Sequence, residues 1–370
     1  MEKSWHLIDN VETVMSPALL VYPERVEENV RRMIAILGGD VSRLRPHVKT
    51  HKLTPLLSIQ IGQGITKFKC ATIAEAEMLG EAGAAEVLFA YQPVGPNIQR
   101  LIDLSHKFPK TKFAAILDND ETALALGKAC SSAGITMDVF VDIDVGMGRT
   151  GVAPERATAF GARLVKVTGL RFAGLHAYDG HITDPDPTIR ASRCDEAFKK
   201  ITQIRDELVR NGVAVSKIIA GGTPTFPMHA KRAKDVECSP GTCVLWDWSY
   251  SSKFQDLSFL HAALVLTRVV SKPAPNRLCL DLGHKAIASE NPHPRVHLLE
   301  LPDAKFLMHS EEHLVVESPA AEKLQVGSPI YGVPWHICPT VALYSEAFAI
   351  RNRRADELWS VTARARKLSI

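Results

Sequence analysis

A regular alternation of short apolar runs with segments of helical periodicity is the feature that most restricts how this sequence can fold. Residues 23–38 show the helical pattern, because Val26, Val30 and Met33 recur three or four positions apart. Another helix is predicted to begin at Thr72, with Glu75 at the spacing of a capping box. Strands are predicted at 16–22, 67–71, 86–91, 112–117, 137–143, 170–177 and 217–220. Residues 44–49 are predicted to form the end of a strand, and residues 236–244 the last strand and turn.

Strands that alternate with helices in this way are typical of a parallel sheet. About eight such units in roughly 240 residues favour a closed (β/α)₈ barrel over an open doubly wound sheet. After Asp256 the pattern changes to short apolar strands separated by Pro, Asn and Gly, and helical runs are nearly absent. We therefore predict a barrel over residues 16–255 and a second, mainly antiparallel β domain over 256–370, to which residues 1–15 also belong.

The composition excludes several classes of function. A net charge of +3 is too small to indicate binding to nucleic acid or to a membrane surface. No apolar run approaches the roughly 20 residues of a membrane-spanning helix, and the first residues lack a secretory signal pattern. Seven cysteines without regular spacing favour a reducing compartment over a disulfide framework. We expect a cytoplasmic protein that acts on a small molecule.

Polar groups follow most of the predicted barrel strands. Catalytic residues of βα barrels lie at the carboxyl ends of the strands and in the loops that follow. Six positions fit that rule: Lys49, Tyr91–Gln92, 142–151, 176–181, 220–225 and 239–242. This recurrence predicts an active site at one end of the barrel.

The segment Arg45–Lys52 combines two lysines, two histidines and an arginine. Burial and neighbouring cations lower the pKa of a lysine, and a neutral lysine can form a Schiff base with a carbonyl compound. The alternative interpretation is a solvated basic loop.

Two glycine-rich turns, Gly221–Thr223 and Pro240–Thr242, follow predicted strands and offer backbone N–H groups and a hydroxyl. Such turns can bind a phosphate, although ordinary tight turns have the same composition. A third glycine-rich segment, Asp144–Gly151, contains Arg149, which either points towards a ligand or is simply exposed.

Near the C-terminus, the segment Pro334–Thr340 contains His336 and Cys338. In an extended chain these two side chains point to the same side. An imidazole and a thiolate together suit a soft divalent ion, most naturally Zn²⁺. The alternative is a buried thiol next to a surface histidine.

The segments Ser16–Val30, Arg45–Lys52 and Pro334–Thr340 together resemble the D-threonine aldolase and D-serine dehydratase family. The resemblance implies an alanine racemase-like barrel that binds pyridoxal phosphate through Lys49. It also implies one divalent metal ion on His336 and Cys338, with Zn²⁺ favoured and Mn²⁺ or Mg²⁺ possible, and a homodimer.

The same resemblance assigns the cofactor phosphate to both glycine turns, which adds the residues Gly222, Thr223, Gly241 and Thr242. It directs Arg149 towards the cofactor ring. The racemases carry an arginine where this chain has Ser239, so Tyr178 or another group is expected to contact the ring nitrogen.

The activity that the resemblance implies is a lyase reaction on D-3-hydroxy amino acids, with Lys49 or His51 as the base. D-Threonine aldolase is the leading prediction. Dehydration of D-serine or D-threo-3-hydroxyaspartate is the second, and racemisation and a non-catalytic cofactor carrier are further alternatives.

Overall fold

The computed structural model describes residues 5–370. The strands are β1 (Ala18–Val21), β2 (Lys67–Cys70), β3 (Glu86–Phe89), β4 (Lys112–Leu117), β5 (Met137–Asp142), β6 (Leu170–Ala177), β7 (Lys217–Ala220), β8 (Val236–Cys238), β9 (Ala263–Ala274), β10 (Arg277–Leu280), β11 (Val296–Leu298), β12 (Lys305–His309), β13 (Leu314–Glu317), β14 (Pro329–Pro334), β15 (Glu346–Arg351) and β16 (Arg354–Ser360). The α-helices are α1 (Pro23–Ile36), α2 (Thr54–Gly62), α3 (Ile73–Glu81), α4 (Pro96–Lys107), α5 (Asp120–Ser132), α6 (Pro154–Leu164), α7 (Pro187–Arg210), α8 (Phe226–Ala230), α9 (Trp248–Lys253) and α10 (Ile337–Leu343).

The chain forms two compact units. The barrel unit consists of Arg32–Lys49, Gln60–Gly241 and Ala365–Ile370. The β unit consists of the described residues up to Arg31, Thr50–Ile59 and Thr242–Arg364.

In the barrel unit, strands β2 to β8 pair in parallel and in the order of the sequence. The helices between them follow from local signals. The predicted capping box at the start of α3 is confirmed, because the Thr72 side chain accepts the N–H of Glu75 and the Glu75 carboxylate accepts the N–H of Ala71.

The segment 44–47 closes the ring between β8 and β2. Leu44 forms a parallel bridge with Cys238, and His47 forms one with Lys69. The N–H of Arg45 donates to the carbonyl of Cys238, and the N–H of Lys69 donates to that of Pro46, both at 2.9 Å. The predicted α/β fold with a TIM-like barrel is therefore confirmed.

Ion pairs fill the barrel interior at the amino-terminal ends of the strands. Arg45 pairs with Glu86 and with Glu237, both at 2.6 Å, and Lys67 pairs with Glu237 at the same distance. Lys217 adds a 3.3 Å contact to Glu86. We call these five residues the basal ion cluster. Buried charges are tolerated when they are paired in this way.

The β unit contains a nine-stranded sheet in the order β12-β13-β10-β9-β1-β15-β16, with β14 on β9 and β11 on β14. Its pairings are antiparallel apart from that of β1 with β15. The second, mainly antiparallel β domain is confirmed as part of the fold class.

Strand β1 belongs to this sheet, whereas the sequence pattern grouped Ser16–Tyr22 with the barrel. Leu20 pairs with Leu264 of β9 and with Phe348 of β15. An apolar run has the same local preference in either sheet, so long-range hydrogen bonding decides which sheet it joins.

Within residues 5–370, no helix combines the length and the apolar character that crossing a membrane requires. All seven cysteines are free thiols.

Candidate active site

A cavity of about 530 Å³ lies at the carboxyl ends of the barrel strands. That volume suits a small ligand or a cofactor. The cavity is lined by His47, Lys49, Lys69, Ala71, Ala90, Tyr91, Gln92, Val94, Ile116, Asp118, Asp142, Ile143, Asp144, Met147, Arg149, Thr150, His176 and Tyr178. It lies where the polar strand ends predicted an active site.

Three cations surround the ring of Tyr178 in this cavity. The Nζ atoms of Lys49 and Lys69 lie 5.6 and 5.7 Å from the ring centroid, and the Arg149 guanidinium carbon lies 5.1 Å from it. These distances are in the range of cation–π contacts. The structure thus brings together Lys49, Arg149 and Tyr178, as the sequence suggested, and adds Lys69, which the sequence predictions did not include.

Asp142 and His176 form a buried pair in the cavity wall. The His176 Nδ1 atom lies 2.6 Å from an Asp142 carboxylate oxygen, and the Thr150 hydroxyl donates to the other oxygen. Burial and the nearby charge of Lys69 lower the pKa of His176, against the opposite effect of Asp142. A neutral imidazole then donates its Nδ1–H to the carboxylate, since a carboxylate can only accept.

The Nε2 atom of His176 is buried and has no hydrogen-bond partner in the described part of the chain. An unpaired buried acceptor is unfavourable unless a ligand satisfies it. The unpaired Nε2 atom therefore favours a bound group that carries a hydrogen-bond donor. His176 lies in one of the predicted strand-end segments, but its sequence context does not distinguish it from the neighbouring polar residues.

The two histidines of the basic segment differ in their surroundings. His47 lines the cavity, and its Nδ1 accepts the N–H of Lys49 at 3.2 Å. His51 belongs to the β unit and is buried, and its Nδ1 accepts the N–H of Leu53. Burial lowers the pKa of His51 to about 3, so the imidazole is neutral at neutral pH. This environment weighs against His51 as the base.

The two predicted glycine turns meet within the barrel unit. The N–H of Gly241 donates to the Thr223 hydroxyl at 3.1 Å, and the N–H of Gly222 donates to the Thr225 hydroxyl at 3.3 Å. A Cβ atom on Gly222 would lie 2.9 Å from the ring of Tyr178. The buried hydroxyl of Ser239 has no partner among residues 5–370. The two turns thus combine small residues with the unpaired Ser239 hydroxyl, and Gly222 lies against Tyr178, a composition that fits a phosphate site.

A buried network supports the first of these turns. Asp179 accepts hydrogen bonds from the Thr225 hydroxyl and from His229 Nε2, both at 2.8 Å. The Arg232 Nε–H donates to His229 Nδ1 at 3.2 Å. Gly221 lies directly against this network, since a Cβ atom there would approach the His229 ring to 2.4 Å.

Asp179, Cys194 and His229 are also a group whose ligand atoms all lie within 4.8 Å of one another, so they offer a possible metal site. Both nitrogens of His229 already have partners, however, and the Arg232 guanidinium lies 3.5 Å from the Cys194 sulfur. A dication there would displace a proton and lie beside a fixed positive charge. We interpret this group as packing support for the turn.

The predicted metal pair lies in the β unit and has a different backbone from the expected one. His336 is the N-cap of α10 and Cys338 is inside the helix, so the segment is not extended as predicted. The two side chains still contact each other: burial lowers the pKa of His336, but the Cys338 thiol and the Glu290 carboxylate raise it to about 9.

Cys338 is half-buried, and its sulfur lies 3.3 Å from the Thr50 hydroxyl and 3.8 Å from the Thr242 hydroxyl. Imidazole, thiolate and hydroxyl groups are chemically suited to a divalent metal site. Thr242, predicted to bind the cofactor, begins a short 3₁₀ turn in the same unit.

Comparison with known proteins matches two successive parts of the chain to family models. The family model of the alanine racemase N-terminal domain matches residues 21–245, and a model of the serine dehydratase domain matches residues 262–350. The D-threonine aldolase of an Arthrobacter species is 29% identical over 361 residues, which cover 96% of this chain and 94% of that protein.

The 3-hydroxy-D-aspartate aldolase of Paracoccus denitrificans is 26% identical over 365 residues, which cover 95% of this chain and 93% of that protein. Among solved structures, D-threonine aldolase from Filomicrobium marinum superposes with a TM-score of 0.89 and 28% identity, covering 95% of both chains.

Proposed function

The chain belongs to the alanine racemase N-terminal domain family, and on this premise we propose that it is a pyridoxal-phosphate-dependent lyase acting on D-3-hydroxy amino acids. The observation that carries the proposal is the cavity at the carboxyl end of the barrel, where the Lys49 amine, the Tyr178 ring and Arg149 meet. A cavity amine and a glycine-rich turn that both approach the Tyr178 ring supply the two kinds of group that a covalently held pyridoxal phosphate requires.

The residues of the cavity and of the two glycine turns fit this cofactor. Lys49 would hold it covalently, and the turns with Gly222, Thr223, Gly241 and Thr242 would bind its phosphate. Arg149 and Tyr178 would border its ring, and the unpaired Nε2 of His176 would accept a hydrogen bond from it. When bound, the cofactor accepts the electron pair of a bond broken at the substrate α-carbon.

Lys49 is also the best candidate for proton transfer. The Lys49 amine lines the cavity, where, once not engaged with the cofactor, it would take or return a proton at the substrate. The hydrogen bond to Asp142 favours the His176 tautomer that leaves Nε2 as an acceptor, so His176 would orient the bound ring.

His336 and Cys338 fit a divalent ion, which we propose to be Zn²⁺, with Mn²⁺ or Mg²⁺ as alternatives. An ion with open coordination positions supplies Lewis acidity for a substrate hydroxyl. The nitrogen and sulfur ligands are softer than a set of oxygen ligands, and this softness favours Zn²⁺.

Among lyases we favour D-threonine aldolase. The relative that is 29% identical to this chain and the solved structure that is 28% identical to it are both D-threonine aldolases. The second candidate is dehydration of D-serine or D-threo-3-hydroxyaspartate. It is supported by the serine dehydratase domain match over residues 262–350, which includes Cys338.

Product analysis separates these activities. The purified protein, supplied with pyridoxal phosphate and metal, would be incubated with D-threonine and D-serine, with and without a chelator. Acetaldehyde and glycine identify the aldolase, a 2-oxo acid and ammonia identify the dehydratase, and the L-isomer identifies a racemase. L-Threonine is the matched control substrate. Absence of every product, or full activity of Lys49→Ala, would contradict the proposal.

We also propose a homodimer, because the family to which the sequence motifs point forms its sites with a partner subunit. The free thiols of all seven cysteines support a reducing, cytoplasmic location. Sedimentation of the active enzyme would measure its oligomeric state, and a fully active monomer would contradict the proposed homodimer.

A further inference from the structure

Strand β2 carries two lysines on the face that points into the barrel. Side chains alternate along a strand, so Lys67 and Lys69 share one face while Phe68 and Cys70 occupy the other. Lys67 belongs to the basal ion cluster and pairs with Glu237. Lys69 lies two residues further along, and its side chain lines the cavity.

The position of Lys69 is fixed relative to the segment that carries Lys49. Its backbone N–H donates to the carbonyl of Pro46, and Lys69 forms a parallel β-bridge with His47. The two lysine amines lie at almost equal distances, 5.6 and 5.7 Å, from the centroid of the same Tyr178 ring. The backbone of Lys69 is therefore fixed beside the segment that carries Lys49, and its amine lies in the same pocket.

The negative charges near Lys69 are engaged elsewhere. Asp142 accepts hydrogen bonds from His176 and Thr150, and Asp179 accepts them from Thr225 and His229. Among residues 5–370, no carboxylate lies within ion-pair distance of the Lys69 amine. The charged and titratable groups that face it are Lys49, Arg149, Asp142, Asp179, His176 and Tyr178.

This environment leaves Lys69 short of negative charge. Burial, followed by the positive charge of Lys49, lowers the pKa of Lys69 to about 7, although Asp142 and Asp179 oppose the effect. Lys67, by contrast, is ion-paired, because a Glu237 carboxylate oxygen lies 2.6 Å from its amine. An anion bound in the cavity would supply the negative charge that Lys69 lacks and would favour its ammonium form.

We propose that Lys69 is a cofactor-contacting residue whose ammonium group donates a hydrogen bond to the anionic ring oxygen of pyridoxal phosphate. This inference rests on the proposed function. The ring oxygen is on the carbon next to the one that carries the aldehyde group joined to Lys49, so it lies beside the Lys49 nitrogen. The phosphate, the other anionic group of the cofactor, would lie in the glycine turns.

The proposal makes a specific spectroscopic prediction. In the cofactor-loaded enzyme without substrate, the Lys49 nitrogen and the ring oxygen would share a proton, and its loss would change the absorption spectrum. A neighbouring cation favours the deprotonated form and lowers the pH of that transition. Lys69→Met should therefore raise the transition midpoint by about one to three pH units, the usual effect of a close charge.

The matched variants are Lys69→Arg, which keeps the charge and should restore most of the midpoint, and Lys67→Met, on the same strand and face. Lys67→Met should lower thermal stability and leave the midpoint unchanged, because its partner lies in the basal ion cluster. Cofactor-free Lys69→Met should be at least as stable as the unmodified protein, since it removes a buried charge that has no ion pair.

An unchanged midpoint in Lys69→Met would overturn the inference. So would an effect confined to the KM of the amino acid, which would assign Lys69 to the substrate carboxylate. A Lys49→Ala protein that keeps the cofactor spectrum, or an unmodified protein that takes up no cofactor, would overturn the proposed function itself. The two failures are therefore distinguishable.

Discussion

Two cysteines of this chain lie beside a histidine, yet their surroundings suit different roles. Cys194 is buried against the Arg232 guanidinium and a histidine whose two nitrogens are both engaged. Cys338 is half-buried, contacts the His336 imidazole and lies near two hydroxyls. A thiolate ligand needs space for the ion and no fixed cation next to it, so only the second environment favours metal binding.

At the residue scale, we predict that Cys338→Ala will lose most of its bound zinc, because the ion would keep a single strong ligand. Cys194→Ala should retain the metal. Metal content is measured by elemental analysis after dialysis, together with lyase activity. Cys279→Ala is the control, since Cys279 is a partly exposed thiol in the same β unit. Loss of metal from Cys194→Ala alone would place the site in the barrel unit instead.

At the scale of elements, the turn after β7 depends on backbone shape. Gly221 has φ of +75°, in the left-handed region that residues with a Cβ rarely adopt, and its Cα faces the His229 ring. Gly212, after α7, has a nearly identical φ of +79°, but a Cβ atom added there would meet no other atom within 4 Å. Substituting each of the two glycines therefore separates the effect of backbone strain, which both share, from that of steric overlap, which only Gly221 has.

Gly212→Ala should lower the free energy of unfolding by about 1–2 kcal/mol, the cost of a left-handed alanine. Gly221→Ala should lower it further, because the turn must move away from His229, and it should also weaken binding of pyridoxal phosphate. Urea denaturation and cofactor titration measure the two effects. Equal losses in both variants, with unchanged cofactor affinity, would show that the His229 contact is unimportant.

At the scale of the whole molecule, the basal ion cluster links the stability of the barrel to pH. Burial acts to raise the pKa of Glu86, but Arg45 and Lys217 lower it to about 2. Burial likewise opposes ionisation of Glu237, and Arg45 and Lys67 again produce a net lowering of the pKa. A lowered carboxyl pKa stabilises the fold above the usual value of 4.5 and loses this contribution as the pH falls towards about 2.

We therefore predict that the free energy of unfolding falls steeply between pH 4.5 and about 2. Glu237→Gln should cost about 3 kcal/mol at pH 7, since Arg45 and Lys67 lose a buried partner, and should flatten this acid dependence. The control is Asp120→Asn, which breaks an exposed pair with Arg163 and should cost at most about 1 kcal/mol. An acid profile of Glu237→Gln parallel to that of the unmodified protein would contradict the linkage.

Much of the architecture follows from local sequence. The barrel strands β2 to β8 and their helices lie close to the predicted segments, because period-2 and helical patterns report which side of each element is buried. Lys49, Arg149 and Tyr178 come from strand-end segments that the parallel topology brings to one cavity. Their meeting could be predicted once the barrel was recognised, since all such ends face the same way.

Tertiary structure decided the remaining features. Residues 44–47 close the barrel while β1 joins the other sheet, and distant hydrogen-bond partners decide which of the two segments takes each place. The Asp142–His176 pair, and the difference between Lys67 and Lys69, arise only when separate strands lie side by side. Sequence spacing determines which way a side chain points along its own element, whereas its neighbours across the barrel determine its charge, its hydrogen bonds and hence its chemistry.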